Sequence, residues 1–399
     1  MRLQRIFVSS VTASLLLIRS QTQAQTSFLG GAYTAKSDVS GIAKLADDVA
    51  QVRAASSSDI AKSILGIYGQ EGSSTATNLD GESLSIGSIG SNMPTEMASE
   101  PYYHAFVYAL RKLESIDDDE APVFGNTILE ALLGIESQDT LGMVAEAAVI
   151  NVLWMYQVHL LEKALASCTA EEPPETIARY LDAAFAVYVG TDEQKGTAGT
   201  GHSLYDMAEQ AAAIYNTKSE SNQALVNEYI VTLYRDLQSN FGEGDLCADD
   251  PIEASKRLRV QIYKIVRQTT VSLIQKMMYH LQLRDSQKGD EAVIEKDFTE
   301  IYALQIYPIL SMCSIHDADE IRDLLIQPID KSAPVDVATV LGYLQPHYDC
   351  LGVTCEDVGN YLQVNSTTCA SQFDGSFTPG VVSYGGYLPV NDITQVCKI

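Results

Sequence analysis

Apolar residues recur three and four positions apart along most of this chain, a spacing that predicts one helix after another. Residues 38–52 are partly periodic and give a first helix after a spacer. Ser58 and Asp59 precede Ile60, Ile64 and Leu65, which share a face, so a capped helix is expected over 57–67. Tyr103, Phe106, Val107 and Leu110 mark a helix over 100–114. The next, over 118–136, opens with acids and Pro122, residues suited to a first turn, and continues through Ile128, Leu132 and Ile135. Residues 140–166 are the most apolar and predict a central helix buried nearly all round. Pro173 opens a helix to 188, and further helices are expected over 202–215, 222–241, 252–283, 288–313, 317–326 and 335–344. Gly, Ser and Thr dominate 69–91 and 190–201, which read as loops. After Cys350 the helical period gives way to Gly, Pro, Ser and Thr. The expected class is all-α, with an irregular, Cys-rich C-terminal tail.

The helical region contains a faint internal repeat. Val152-Leu-Trp-Met-Tyr-Gln-Val-His159-Leu160 can be laid on Leu273-Ile-Gln-Lys-Met-Met-Tyr-His280-Leu281. About twenty residues further on, each copy has an acid ahead of aromatics, Asp182 to Tyr188 in one and Glu300 to Tyr307 in the other. Two related multi-helix lobes are therefore expected, centred on 140–166 and 252–283. The division is 1–24 as a signal peptide, 25–56 as spacer and first helix, 57–349 as the helical domain and 350–399 as a disulfide-rich segment.

The first of these rests on Arg2 and Arg5, the apolar run 6–18, and the polar stretch ending Thr22-Gln23-Ala24, the pattern of a secretory signal. That run is too short to span a bilayer, which takes about 20 apolar residues. Of the later segments 140–153 comes closest, and Glu146 interrupts it. The chain is acidic: its formal charge is −26, and removing the three arginines and no acids of residues 1–24 makes it −29. Such a field argues against nucleic-acid partners and aids solubility. Seven cysteines in an exported chain point to disulfides with at least one left over. Cys350, Cys355, Cys369 and Cys397 crowd the tail, where they are expected to staple it, and Asn365-Ser366-Thr367 is a glycosylation sequon. Secretion to the extracellular or periplasmic space follows.

No Gly-x-Ser-x-Gly elbow, phosphate loop, His-Glu-x-x-His or dinucleotide fingerprint is present, so no enzyme class is indicated. Four segments in series resemble the algal low-iron-inducible periplasmic proteins, the iron-assimilation family that includes the phytotransferrins. They are Ile67-Tyr-Gly-Gln-Glu-Gly-Ser-Ser74; Tyr180 to Gly190 followed by Ser203-Leu-Tyr-Asp-Met-Ala-Glu209; Leu273 to Tyr279 followed by Phe298 to Ile309; and Cys350-Leu-Gly-Val-Thr-Cys-Glu-Asp-Val-Gly359. The chain departs from that pattern in carrying Glu-Ile-Tyr-Ala at 300–303, and Gln-Ala-Ala-Ala after Glu209.

The resemblance implies a secreted, cell-surface protein that binds ferric iron for uptake, with carbonate as a candidate synergistic anion and a surface uptake partner. The alternative is a non-enzymatic surface or matrix protein of the same fold without metal. Ferric iron takes hard oxygen donors and an imidazole. The candidate ligands are Asp182, Tyr188, Tyr205, Glu209, His159, His280, Glu300 and Tyr307. Each also has a plain structural reading. His159 and His280 sit on apolar helices as core histidines would, and Tyr205 and Glu209, four apart, share a face that could simply pack.

Overall fold

The chain enters the fold through a hairpin too short to register in its hydropathy pattern: Ser27–Phe28 (β1) pairs antiparallel with Tyr33–Thr34 (β2). The computed structural model describes residues 26–55, 74–113, 117, 120–134, 139–191, 195–196, 202–242, 246–327 and 334–359. The expected signal peptide, the helix over 57–67, Asn365, Cys369 and Cys397 lie outside these. Among the described residues the strand pair is the only sheet, and the rest is mainly α, as the periodicity required.

Helices Ser40–Ala43 (α1) and Leu45–Ala54 (α2) follow. The next, Ile86–Glu96 (α3), falls where Gly and Ser predicted a loop to 91. Its ends explain the correction. Ser85 and Ser88 form a reciprocal capping box, and Ile86, Ile89 and Met93 bury one face. Gly90 has a packing role, since a Cβ there would lie 2.2 Å from Asn126 Oδ1. Pro101–Leu110 (α4) and Phe124–Leu133 (α5) come next.

Thr140–Ala147 (α6), a π turn at Ala148–Leu153 and Trp154–Thr169 (α7) form one continuous rod. The π turn adds a residue to the helical register, so the faces before and after it are offset. By length and composition this rod, Thr140–Thr169, could cross a membrane, but 94% of its apolar window is buried inside the protein. The fold itself takes up that surface.

The remaining elements are Pro174–Val189 (α8), Leu204–Tyr215 (α9), Leu225–Leu237 (α10) running into a π turn at Gln238–Gly242, Leu246–Asp249 (α11), Pro251–Ser286 (α12) and Asp290–Ser311 (α13). Ile315–Ile321 (α14), with a π turn at Arg322–Ile326, Val337–Leu344 (α15), Tyr348–Leu351 (α16) and Cys355–Val358 (α17) close the described chain. Pro101, Pro174 and Pro251 each occupy a first helical position, where no N–H is needed.

The two repeat copies are two helical hairpins, α7 with α8 and α12 with α13, and α7 packs on α12. Trp154, fully buried, donates from Nε1 to Thr269 Oγ1 at 2.8 Å and so ties one hairpin to the other. Their apolar faces join into a single core that also takes in Phe106 and Phe124.

Two disulfides lock this arrangement. Cys168, at the end of α7, bonds Cys247 of α11, and Cys313, just past α13, bonds Cys350. The second supplies a pairing that the sequence left open: Cys350, at the start of the Cys-rich tail, reaches back to the helical body. Cys355 is also disulfide-bonded. Disulfides persist in oxidising compartments, which places the protein outside the cytoplasm.

Candidate functional site

The residues chosen as iron donors disperse. Asp182, fully buried, accepts from Tyr33 Oη (2.6 Å), the amides of Lys36 (2.7 Å) and Ser37 (2.9 Å), and Gln238 Nε2 (2.8 Å). It is a clamp for the N-terminal segment: burial pushes its carboxyl up and these donors pull it back. His159 Nδ1 meets Glu100 Oε1 at 2.5 Å. Tyr307 donates to Asp319 at 3.1 Å, with the Arg322 guanidinium 6.0 Å from its ring centre. Glu300 lies half-buried on α13.

Three of the eight do meet. The rings of Tyr188 and Tyr205 cross edge to face at 6.2 Å, and Tyr188 donates to Asn227 Oδ1. Asn227 Nδ2 in turn donates to Glu209 Oε1 (2.9 Å), which also takes the Ala224 amide (2.9 Å), while Lys218 Nζ holds Oε2 at 3.0 Å. Every oxygen of Glu209 is committed, so this cluster reads as a buried brace between α9 and α10. Burial, with Tyr205 and Glu209 beside it, raises the Tyr188 phenol well above its ordinary value.

The eighth candidate, His280, sits in a different environment. Its Nδ1 is 2.6 Å from Glu295 Oε2, and its ring stacks on Phe298 (4.7 Å) and Tyr302 (5.6 Å). The residue is buried, and Nε2 has no hydrogen-bond partner. Beside it, Tyr302 donates to Glu146 Oε2, and Glu146 Oε1 faces Arg53 Nη2 at 3.1 Å and Lys276 Nζ at 3.5 Å. Four elements thus converge: α2 brings Arg53, α6 Glu146, α12 Lys276 and His280, and α13 Glu295 and Tyr302.

The electrostatics of this cluster follow from burial and pairing. Burial alone would raise the Glu146 carboxyl, but Lys276, His280, the Tyr302 hydroxyl and Arg53 outweigh it and hold it at about 2. Glu146 is therefore ionised at any physiological pH. Burial, and then the Glu146 charge, push the Tyr302 phenol well above its ordinary value. Asp139 lies at the fringe, raised by burial and lowered by Arg53. Gly142 lets it approach, since a Cβ there would stand 2.4 Å from Asp139 Oδ1.

Among the described residues, no three His, Cys, Asp or Glu side chains gather closely enough to share a metal ion. Any ion at this cluster would need the Tyr302 phenolate as a third donor beside Glu146 and His280. Comparison with protein-family models, curated proteins and solved structures gave no match, so the class defined here is a disulfide-bonded, mainly α-helical protein.

Apart from His280, the sequence reading missed this group, although it left signals. Glu146 is the lone acid of the apolar run 140–153, and a buried acid needs a partner. Lys276 and His280, four apart, share a face of α12, as Glu295, Phe298 and Tyr302 share one of α13.

Proposed function

We propose that the protein is an exported, non-enzymatic ferric-iron-binding protein that concentrates iron outside the cell or in the periplasm, and that His280, Glu146 and Tyr302 form its metal-binding face. The observation that carries this reading is the buried, unpartnered Nε2 of His280. Its other ring nitrogen is held by the Glu295 carboxylate, the arrangement that orients metal-ligating histidines. A phenol and an ionised carboxylate beside it are the hard donors that Fe(III) favours. Arg53 and Lys276 would repel a bare cation, so an anion such as carbonate must enter with the metal and take up their charge. Protons compete with iron for phenolate and carboxylate, so affinity falls with acidification.

The test is titration of the purified protein with ferric iron, with and without bicarbonate, near neutral pH. A tyrosinate-to-iron absorption band should appear, require the anion, and vanish in Tyr302→Phe, which keeps the ring and removes only the oxygen. The internally satisfied oxygens of Asp182 and Glu209 favour the rival reading, a surface or matrix protein without metal. A parent protein that binds no iron under either condition would select that rival.

A further inference from the structure

The first repeat copy carries its own buried charge cluster around His159. Glu100, which precedes α4, holds Nδ1 at 2.5 Å, and Glu96, at the end of α3, lies 3.8 Å from Nε2. One turn further along α7, Glu162 faces Arg259 of α12 at 3.5 Å, too long for a hydrogen bond. Tyr156 stacks on the His159 ring at 6.0 Å, and Tyr180 of α8 lies close enough to Tyr156 to influence it. Glu100, His159 and Glu162 are all at least nine-tenths buried, and Glu100 Oε2 has no hydrogen-bond partner. Glu96 is about half exposed and keeps its hydration, whereas Glu162 is buried with only the 3.5 Å contact to Arg259 to offset a charge. A buried charge so weakly paired is costly, and a proton removes the cost.

We propose that Glu162, with Glu100, His159 and Arg259, forms a proton-operated joint that fastens the start of α4 to the two hairpins in mildly acidic surroundings and loosens it as the pH rises through neutrality. The groups facing Glu162 agree with this. Burial raises its carboxyl, Arg259 opposes the rise, Glu100 adds to it and His159 opposes it, with a net result of about 7 against an ordinary 4.5. The sign follows from proton counting. Between those values the folded protein holds a proton that the unfolded chain has lost, so stability falls as the pH rises. The contribution is fully present below about 4.5 and gone above about 7.

Hydrogen exchange of the α4 amides, corrected for intrinsic rates, reads the joint directly. Protection should drop on the order of 50-fold between pH 5 and pH 8.5 in the parent. Glu162→Gln, which cannot ionise, should flatten that response, whereas Glu96→Gln at the exposed rim should keep it. Carbon-13 NMR of the glutamate carboxyls gives an independent reading on the unaltered protein, with one carboxyl expected to titrate near 7. An unchanged slope in Glu162→Gln overturns the proposal, as does a parent in which no glutamate titrates above 5.

Discussion

Replacing Glu146 by glutamine is expected to destabilise the protein by about 3–5 kcal/mol at neutral pH, the usual penalty for removing one partner of a buried ion pair. The amide could still accept from Tyr302, but Lys276, only 7% exposed in its side chain, would lose its counter-charge in a place that water does not reach. Arg53, with 30% of its side chain exposed, can recover hydration, so most of the cost falls on Lys276. Denaturant unfolding at pH 7 measures the loss. The double variant Glu146→Gln with Lys276→Met should recover much of it, because the stranded cation goes with its partner. The acid limb carries the same signature. With its folded value held at about 2 against 4.5, Glu146 contributes stability that is complete above 4.5 and lost as the pH falls to 2. That slope, about 3 kcal/mol in all, should be missing from the glutamine variant. A variant as stable as the parent at pH 7 would mean that the cluster is hydrated and the pairing incidental.

Removing the Cys168–Cys247 bond should be of comparable size. The two residues are 79 apart in sequence, and the loop-closure model assigns a loop of that size about 4 kcal/mol. Cys247 lies in the four-residue helix α11, which packs on α12 and on the π turn at Gln238–Gly242, and the bond ties it to the end of α7. Replacing both cysteines by serine should therefore lower the unfolding midpoint clearly while leaving the helical circular dichroism near the parent's. The Cys313–Cys350 pair, 37 apart, should matter somewhat less. If the double serine variant unfolds within 1 kcal/mol of the parent, native-state strain offsets the entropy gained from closing the loop.

The helical plan could be read from the sequence because most helices carry an uninterrupted apolar period, as at Tyr103 to Leu110. It failed at α3, where glycines and serines read as loop although Ile86, Ile89 and Met93 kept the helical spacing. Gly90 is there for close packing against Asn126, which composition does not distinguish from a loop glycine. The Cys350 partner could not be read because a disulfide depends on where two chain ends meet in space. The site was legible only in part for the same reason. Histidines at matching places in a repeat stood out, and each does hold a carboxylate through Nδ1. Their companions come from other helices, with no sequence neighbourhood in common. Glu100 precedes α4, Arg53 ends α2 and Glu146 lies on α6, so only tertiary packing brings them to the histidines.

The Asp182 clamp also sets a timetable for folding. Tyr33 stacks on Phe185 at 4.0 Å and bonds Asp182, and Gln238 completes the clamp by donating to Asp182 and to the Tyr33 hydroxyl at 3.0 Å. The N-terminal hairpin is made first, yet its binding surface is finished only when residue 238, 205 positions later, has emerged. At roughly 5–20 residues per second that interval is about 10–40 s of synthesis. Until Phe185 emerges, Phe28 and Tyr33, both buried at the end, lack the ring they pack on. The first segment of the described chain to be synthesised is thus fastened only well after it is made, and a holdase that shields those two rings would act early in synthesis.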